Sequence, residues 1–147
     1  MIRVMLCDDH AMVRRGIKDT LSDALDIEVI AEASNYSEVR DSLRNTPCDV
    51  LILDLSLPGR GGMDVLASLK EAASPTKVLV VSMFAEDQYA IRCLRAGAQG
   101  YLNKAGDPAE LISAVRAIAQ GRKYVTPAVS EMLITQLAEP ASFNMHD

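Results

Sequence analysis

The sequence predicts an α/β domain whose parallel sheet lies between two helical layers, and three observations carry that prediction. Val50-Leu51-Ile52-Leu53 and Val78-Leu79-Val80-Val81 are unbroken apolar runs, the pattern of strands covered on both faces. Strand-like runs alternate with helix-period segments five times within the first 121 residues, and parallel neighbours joined by right-handed helical crossovers give a doubly wound sheet. The runs also stop at polar residues: Asp8 and Asp9 after Ile2 to Cys7, Asp54 after Val50 to Leu53, Ser82 after Val78 to Val81, and Lys104 after Gly100 to Asn103. In an open parallel sheet the carboxyl ends of the strands form the edge where ligands bind.

The elements follow in order. Behind the first strand, Val13, Ile17, Leu21 and Leu25 recur every four residues as one helical stripe. A shorter stripe, Val39 and Leu43, is preceded by Asn35 with Glu38 three residues on, a capping arrangement. Val65, Leu66 and Leu69 mark a third helix, and Ala90, Ile91 and Leu94 a fourth. The fifth is the best punctuated, with Asp107 as N-cap, Pro108 at the first helical position, Leu111, Ile112, Val115 and Ile118 as its stripe, and Gly121 as its stop. Five strands of this kind are expected in the flavodoxin-like order 2-1-3-4-5 with helices on both faces. That order sets strands 1 and 3 side by side and gathers Asp8, Asp9 and Asp54 at a topological switch point.

Beyond Gly121 the pattern changes. Tyr124-Val125-Thr126-Pro127 reads as an extended piece running into a capped helix start, and Val129, Met132, Leu133 and Leu137 give one short apolar face. Residues 1–121 are therefore expected as the domain and 122–147 as a connector, part helix and part flexible tail, with a sixth core helix as the alternative.

Composition narrows the function classes. The chain has 147 residues, 49% of them hydrophobic, and a net charge of -5, so it should fold as one domain and is a poor match to DNA by itself, which needs a concentrated Lys/Arg surface. Arg14 and Arg15, Arg92 and Arg95, Arg122 and Lys123 read as solvated helix faces. The three cysteines, Cys7, Cys48 and Cys93, show no CxxC spacing, which speaks against a disulfide framework or a zinc site. With no signal-peptide pattern and no apolar stretch near ~18 residues, a cytoplasmic protein away from membranes is expected.

The residues at the rim suit one chemistry. Hard divalent cations take oxygen ligands, and Mg²⁺ needs only one or two carboxylates beside waters and a phosphate oxygen. Asp9 and Asp54 suit direct ligation, Asp8 acts through water, and the backbone carbonyl of Ser56 completes the protein's share. The Asp54 carboxylate can then attack phosphorus and form an acyl phosphate, while the Ser82 hydroxyl and the Lys104 ammonium neutralise equatorial oxygens. Taken singly, each has an ordinary explanation: Asp9 could cap the helix beginning near Ala11, and a loop lysine is normally just solvated. Five matching residue types at successive strand ends outweigh those separate readings.

The stretches Cys7-Asp8-Asp9-His10, Leu53-Asp54-Leu55-Ser56-Leu57-Pro58-Gly59, Val81-Ser82-Met83 and Gly100-Tyr101-Leu102-Asn103-Lys104 resemble the response regulator receiver domains of two-component signalling. The resemblance covers residues 1 to about 121. Asp8-Asp9-His10, Ser82-Met83-Phe84 and the run from Gly121 to Pro127 look like its NarL/FixJ (LuxR-type) branch, whose members are usually transcription factors with a C-terminal helix-turn-helix. The resemblance implies that Asp54 accepts phosphate from a sensor histidine kinase and that Asp8, Asp9, Asp54 and the Ser56 carbonyl hold Mg²⁺, or Mn²⁺ in its place. It further implies that Ser82 and Lys104 contact the phosphate and that Ser82 and Tyr101 form a switch pair. A phosphorylation-dependent homodimer is implied too, with DNA reached only through an effector domain that does not follow Asp147.

Three positions depart from the family's commoner pattern. Ala105 follows Lys104 where a proline with a cis bond is usual, Ser82 replaces the commoner Thr, and Met83 and Phe84 are bulky; Phe84 is placed to shield an acyl phosphate from water. A truncated fragment and a stand-alone receiver both remain open for the whole chain. Two rivals are a Mg²⁺-dependent phosphohydrolase working through an aspartyl phosphate, which would want an acid where Ser56 stands, and a pseudo-receiver scaffold, which the complete five-residue set argues against. Phosphorylation confined to its own Asp54, with no turnover of an external substrate, is the expectation.

Overall fold

The computed structural model describes residues 1–55, 57, 61–83, 87–104 and 107–138. Ser56, Phe84, the bond from Lys104 to Ala105, and the tail from 139 onward lie outside the described residues. Strands and helices alternate as β1 (Ile2–Cys7), α1 (Ala11–Leu21), β2 (Ile27–Ala33), α2 (Tyr36–Asn45), β3 (Val50–Leu53), α3 (Gly62–Glu71), β4 (Lys77–Ser82), α4 (Asp87–Arg95), β5 (Gly100–Asn103), α5 (Pro108–Ala119) and α6 (Pro127–Ala138). The sheet runs β2-β1-β3-β4-β5 with every pairing parallel, which is the expected order.

The unbroken apolar runs are explained by what covers them. Successive side chains of a strand point to opposite faces, so one face carries Met5, Cys7, Leu51, Leu53, Val78 and Val80, and the other carries Val4, Leu6, Val50, Ile52, Leu79 and Val81. On the first face lie Val39 of α2, Val65 and Leu66 of α3, and Ala90 and Ile91 of α4. The second is covered by Leu21 of α1 and by Leu111, Ala114, Val115 and Ile118 of α5. Both faces need apolar side chains, so no polar alternation survives in β3 or in the interior of β4.

The capping signals do what their chemistry allows. The Asn35 side chain accepts from the Glu38 amide at 2.9 Å, and Asp107 accepts from the Ala109 amide at 2.9 Å with Pro108 opening α5. Gly121, past the end of α5, has φ of 90°, a conformation that costs glycine little. One expectation needs correcting: α1 ends at Leu21, and Leu25 is 91% exposed in the turn before β2. Leu25 lies past the last helical turn, where the helix period no longer sets its direction, and Ala24 and Ile27 take the inward places.

The segment past α5 is tied to the sheet at two points. Tyr124 forms a parallel bridge beside β5, its amide donating to the Gln99 carbonyl at 2.9 Å and its carbonyl accepting from the Tyr101 amide at 3.2 Å. Thr126 then caps α6 through its hydroxyl, which accepts from the Val129 amide at 3.2 Å. The helix packs on α4, and Val129 enters the core with Met132 and Leu133 beside it.

Truncating Val129 to Ala removes two buried carbons and about 2 kcal/mol of docking energy. Amide exchange across residues 127–135 should accelerate in Val129→Ala while the β1 and β3 amides keep their protection. Unchanged exchange in α6 would contradict its docking.

Candidate functional site

The strand ends hold the polar residues by backbone bonds between neighbouring strands. The Asp8 amide donates to the Ala33 carbonyl at the end of β2 (3.0 Å), and the Asp54 amide to the Cys7 carbonyl at the end of β1 (2.9 Å). On the other flank the Lys104 amide donates to the Ser82 carbonyl at 2.8 Å, continuing the β4–β5 pairing of Ser82 with Asn103. The sheet register thus brings Asp8, Asp9, Asp54, Ser82 and Lys104 to one edge, as the sequence predicts.

Burial makes that edge electrostatically unusual. Asp8, Asp54 and Ser82 are 3%, 2% and 0% exposed, and they are the buried polar residues among those described. Lys104 Nζ stands 2.8 Å from Asp8 Oδ2 and 3.3 Å from Asp54 Oδ2, so one ammonium serves two buried carboxylates, with Asp9 close by. Asp8 is anchored twice more: its Oδ1 accepts from the His10 amide at 2.8 Å, and its carbonyl accepts from the Arg14 guanidinium. Burial first, and then the charges of Asp54 and Asp8, push the Cys7 thiol up to about 12, so Cys7 stays protonated beside the pocket.

The capping explanation for Asp9 fails. The N-cap of α1 is His10, which makes no side-chain cap bond, and the Asp9 carboxylate instead lies 2.9 Å from His10 Nδ1. Asp8, Asp9, His10 and Asp54 each offer one ligand atom, all within 4.8 Å of one another. An octahedral ion with bonds of about 2.1 Å spaces neighbouring ligand atoms by about 3.0 Å and opposite ones by about 4.2 Å. A closure of a few tenths of an ångström would let this pocket hold a divalent cation, and its carboxylate oxygens suit a hard one.

Two supports of the site have no clear mark in the sequence. A Cβ on Gly62 would lie 2.7 Å from the Asp54 carbonyl oxygen and 2.8 Å from Leu55 Cα, so only glycine lets α3 begin against the chain leaving Asp54. His10 belongs to a stretch that the sequence marks, yet nothing in its spacing says that the ring faces the carboxylates. Tyr101 is 7% exposed, inside the core cluster that holds Ala90 and Ile91 of α4, on the same sheet face as its partner Val80. Among the described residues no helix is long and apolar enough to cross a membrane.

Residues 4–116 match the model of the response regulator receiver domain. The response regulator UvrY of Escherichia coli (strain K12) is 32% identical over 140 residues, a match covering 95% of this chain and 64% of that protein; the chain therefore spans under two thirds of the length of such relatives. A crystal structure of a LuxR-family two-component response regulator from an Aurantimonas species superposes with a TM-score of 0.85 at 32% identity, covering 95% of this chain and 99% of that one. A structure of two RcsB dimers bound to two parallel DNAs superposes with a TM-score of 0.81 at 27% identity, covering 90% of this chain and 67% of that one.

Removing one partner from a buried ion pair costs about 3–5 kcal/mol. Lys104→Met, measured in a chelator, should lose stability on that scale in urea unfolding, because the buried Asp8 and Asp54 carboxylates are left without their shared ammonium. A millimolar divalent cation should restore part of the loss. A variant as stable as the parent would contradict the role given to this ammonium.

Proposed function

The chain belongs to the response regulator receiver-domain family, in its NarL/LuxR branch, and from that premise we propose that Asp54 accepts a phosphoryl group from the phosphohistidine of a sensor histidine kinase. The observation that carries this reading is the convergence of Asp8, Asp9 and Asp54 at one pocket, with Lys104 Nζ at 2.8 and 3.3 Å from the two buried carboxylates, Asp8 and Asp54. An Asp54 carboxylate oxygen attacks phosphorus as the phosphorus–nitrogen bond of the donor breaks, and its electron pair returns to the donor imidazole. Mg²⁺, with Mn²⁺ as substitute, would be held by Asp8, Asp9, Asp54 and the Ser56 carbonyl and would supply charge neutralisation at the transferring group. Lys104 leaves its shared position to pair with one phosphoryl oxygen, and the Ser82 hydroxyl donates to another.

The switch uses the same residues. Ser82 and Tyr101 lie on one face of adjacent strands, so drawing Ser82 toward a phosphoryl oxygen changes the packing available to the Tyr101 ring. Output passes to the connector, residues 122–147: the Tyr101 amide is bonded to Tyr124, and α4 carries α6. In this reading residues 1–121 are the phosphoacceptor domain, and DNA is reached through a separate effector domain. A phosphorylation-dependent homodimer fits the dimeric arrangement of RcsB on DNA. Phosphorylation is confined to the chain's own Asp54, and the work is done in the cytoplasm.

Incubation with acetyl phosphate and Mg²⁺ should add one phosphoryl mass to the parent, removable by hydroxylamine, and none to Asp54→Asn. Equal labelling of Asp54→Asn would overturn the assignment. Sustained phosphate release from simple monoesters would favour a phosphohydrolase instead.

A further inference from the structure

His10 has no task in the phosphoryl-transfer scheme, yet its ring lies among the acidic residues. Its backbone is extended, with φ of -100° and ψ of 109°, and its amide is bonded to Asp8 Oδ1 at 2.8 Å. Nδ1 stands 2.9 Å from Asp9 Oδ1 and 3.4 Å from Asp8 Oδ1, and a ring nitrogen of His10 belongs to the set of ligand atoms that lie within 4.8 Å of one another. The 2.9 Å spacing is that of neighbouring corners around an octahedral ion, about 3.0 Å. We propose that His10 is a nitrogen ligand to the cation of this pocket and biases it toward late first-row divalent metals over Mg²⁺. The inference rests on the reading of the acidic residues as a cation site, and adds to it a donor other than oxygen.

The chemistry gives the bias a direction. Mg²⁺ binds carboxylates, carbonyls and water and gains little from imidazole, whereas Co²⁺ and Ni²⁺ bind imidazole nitrogen well and rise in affinity along the divalent series. A metal-bound ring nitrogen must present its lone pair, and the side chain is 64% exposed, so solvent reaches the ring. If the ring instead only oriented Asp9 by hydrogen bonding, its loss would weaken Mg²⁺ and Ni²⁺ alike.

The test is made on the full chain with the metals alone. Ni²⁺ and Mg²⁺ affinities are measured by calorimetry in the parent and in His10→Gln, and bound Mn²⁺ is examined by electron spin-echo modulation. The sequence contains one other histidine, His146, so the variant is the control for which ring is seen. The expected result is nitrogen modulation from Mn²⁺ in the parent and none in His10→Gln, with Ni²⁺ weakened about tenfold or more and Mg²⁺ within about twofold. Absence of nitrogen modulation in a parent that binds Mn²⁺, or equal weakening of both metals, would overturn the ligand role and leave the cation site standing. A parent that binds none of the three metals would overturn the cation site itself, and the inference with it.

Discussion

Two buried carboxylates that share one ammonium set the terms for everything else at this sheet edge. Unit charges about 4 Å apart interact by about 4 kcal/mol at an effective dielectric of about 20, so a single lysine cannot quiet Asp8, Asp54 and the neighbouring Asp9 together. The remaining negative charge suits the pocket to a cation, and in the proposed reaction the ammonium is the group that a phosphoryl oxygen recruits. The arrangement depends on topology. β1 and β3 must be neighbours to bring Asp8 to Asp54, and β4 and β5 must follow in that order to deliver Ser82 and Lys104.

The strand ends were legible because unbroken apolar runs mark buried parallel strands, and a polar residue where such a run stops must lie at the rim. The caps at Asn35 and Asp107 were legible for the same local reason, since an acceptor side chain before a helix satisfies its first amides. Leu25 misled because the helix stops at Leu21, four residues before it. Gly62 and His10 were not marked because their roles depend on what lies across the pocket, a backbone carbonyl for one and carboxylates for the other. The bridge between Tyr124 and β5 pairs backbone groups, which leave no trace in side-chain pattern.

The attachment of Tyr124 and α6 to the core offers the proposed switch a way out. Tyr101 sits in the core cluster through its ring and is bonded to Tyr124 through its amide, while Val129 inserts beneath α6 into the same cluster. A change at Ser82 that repacks Tyr101 therefore reaches a segment outside the β/α repeat without crossing the sheet. Closely packed cores pass on such displacements as discrete rearrangements and not by gradual deformation.

The central claim is that Lys104 is a counter-ion on loan to Asp8 and Asp54 until a phosphoryl group arrives. A crystal structure of this chain with Mg²⁺ and a beryllofluoride adduct tests it most directly. The account predicts beryllium bonded to an Asp54 carboxylate oxygen, with Lys104 Nζ moved off Asp8 Oδ2 onto a fluoride and the Ser82 hydroxyl on a second. An adduct on another residue, or Lys104 still paired with Asp8 beside an occupied Asp54, would contradict it.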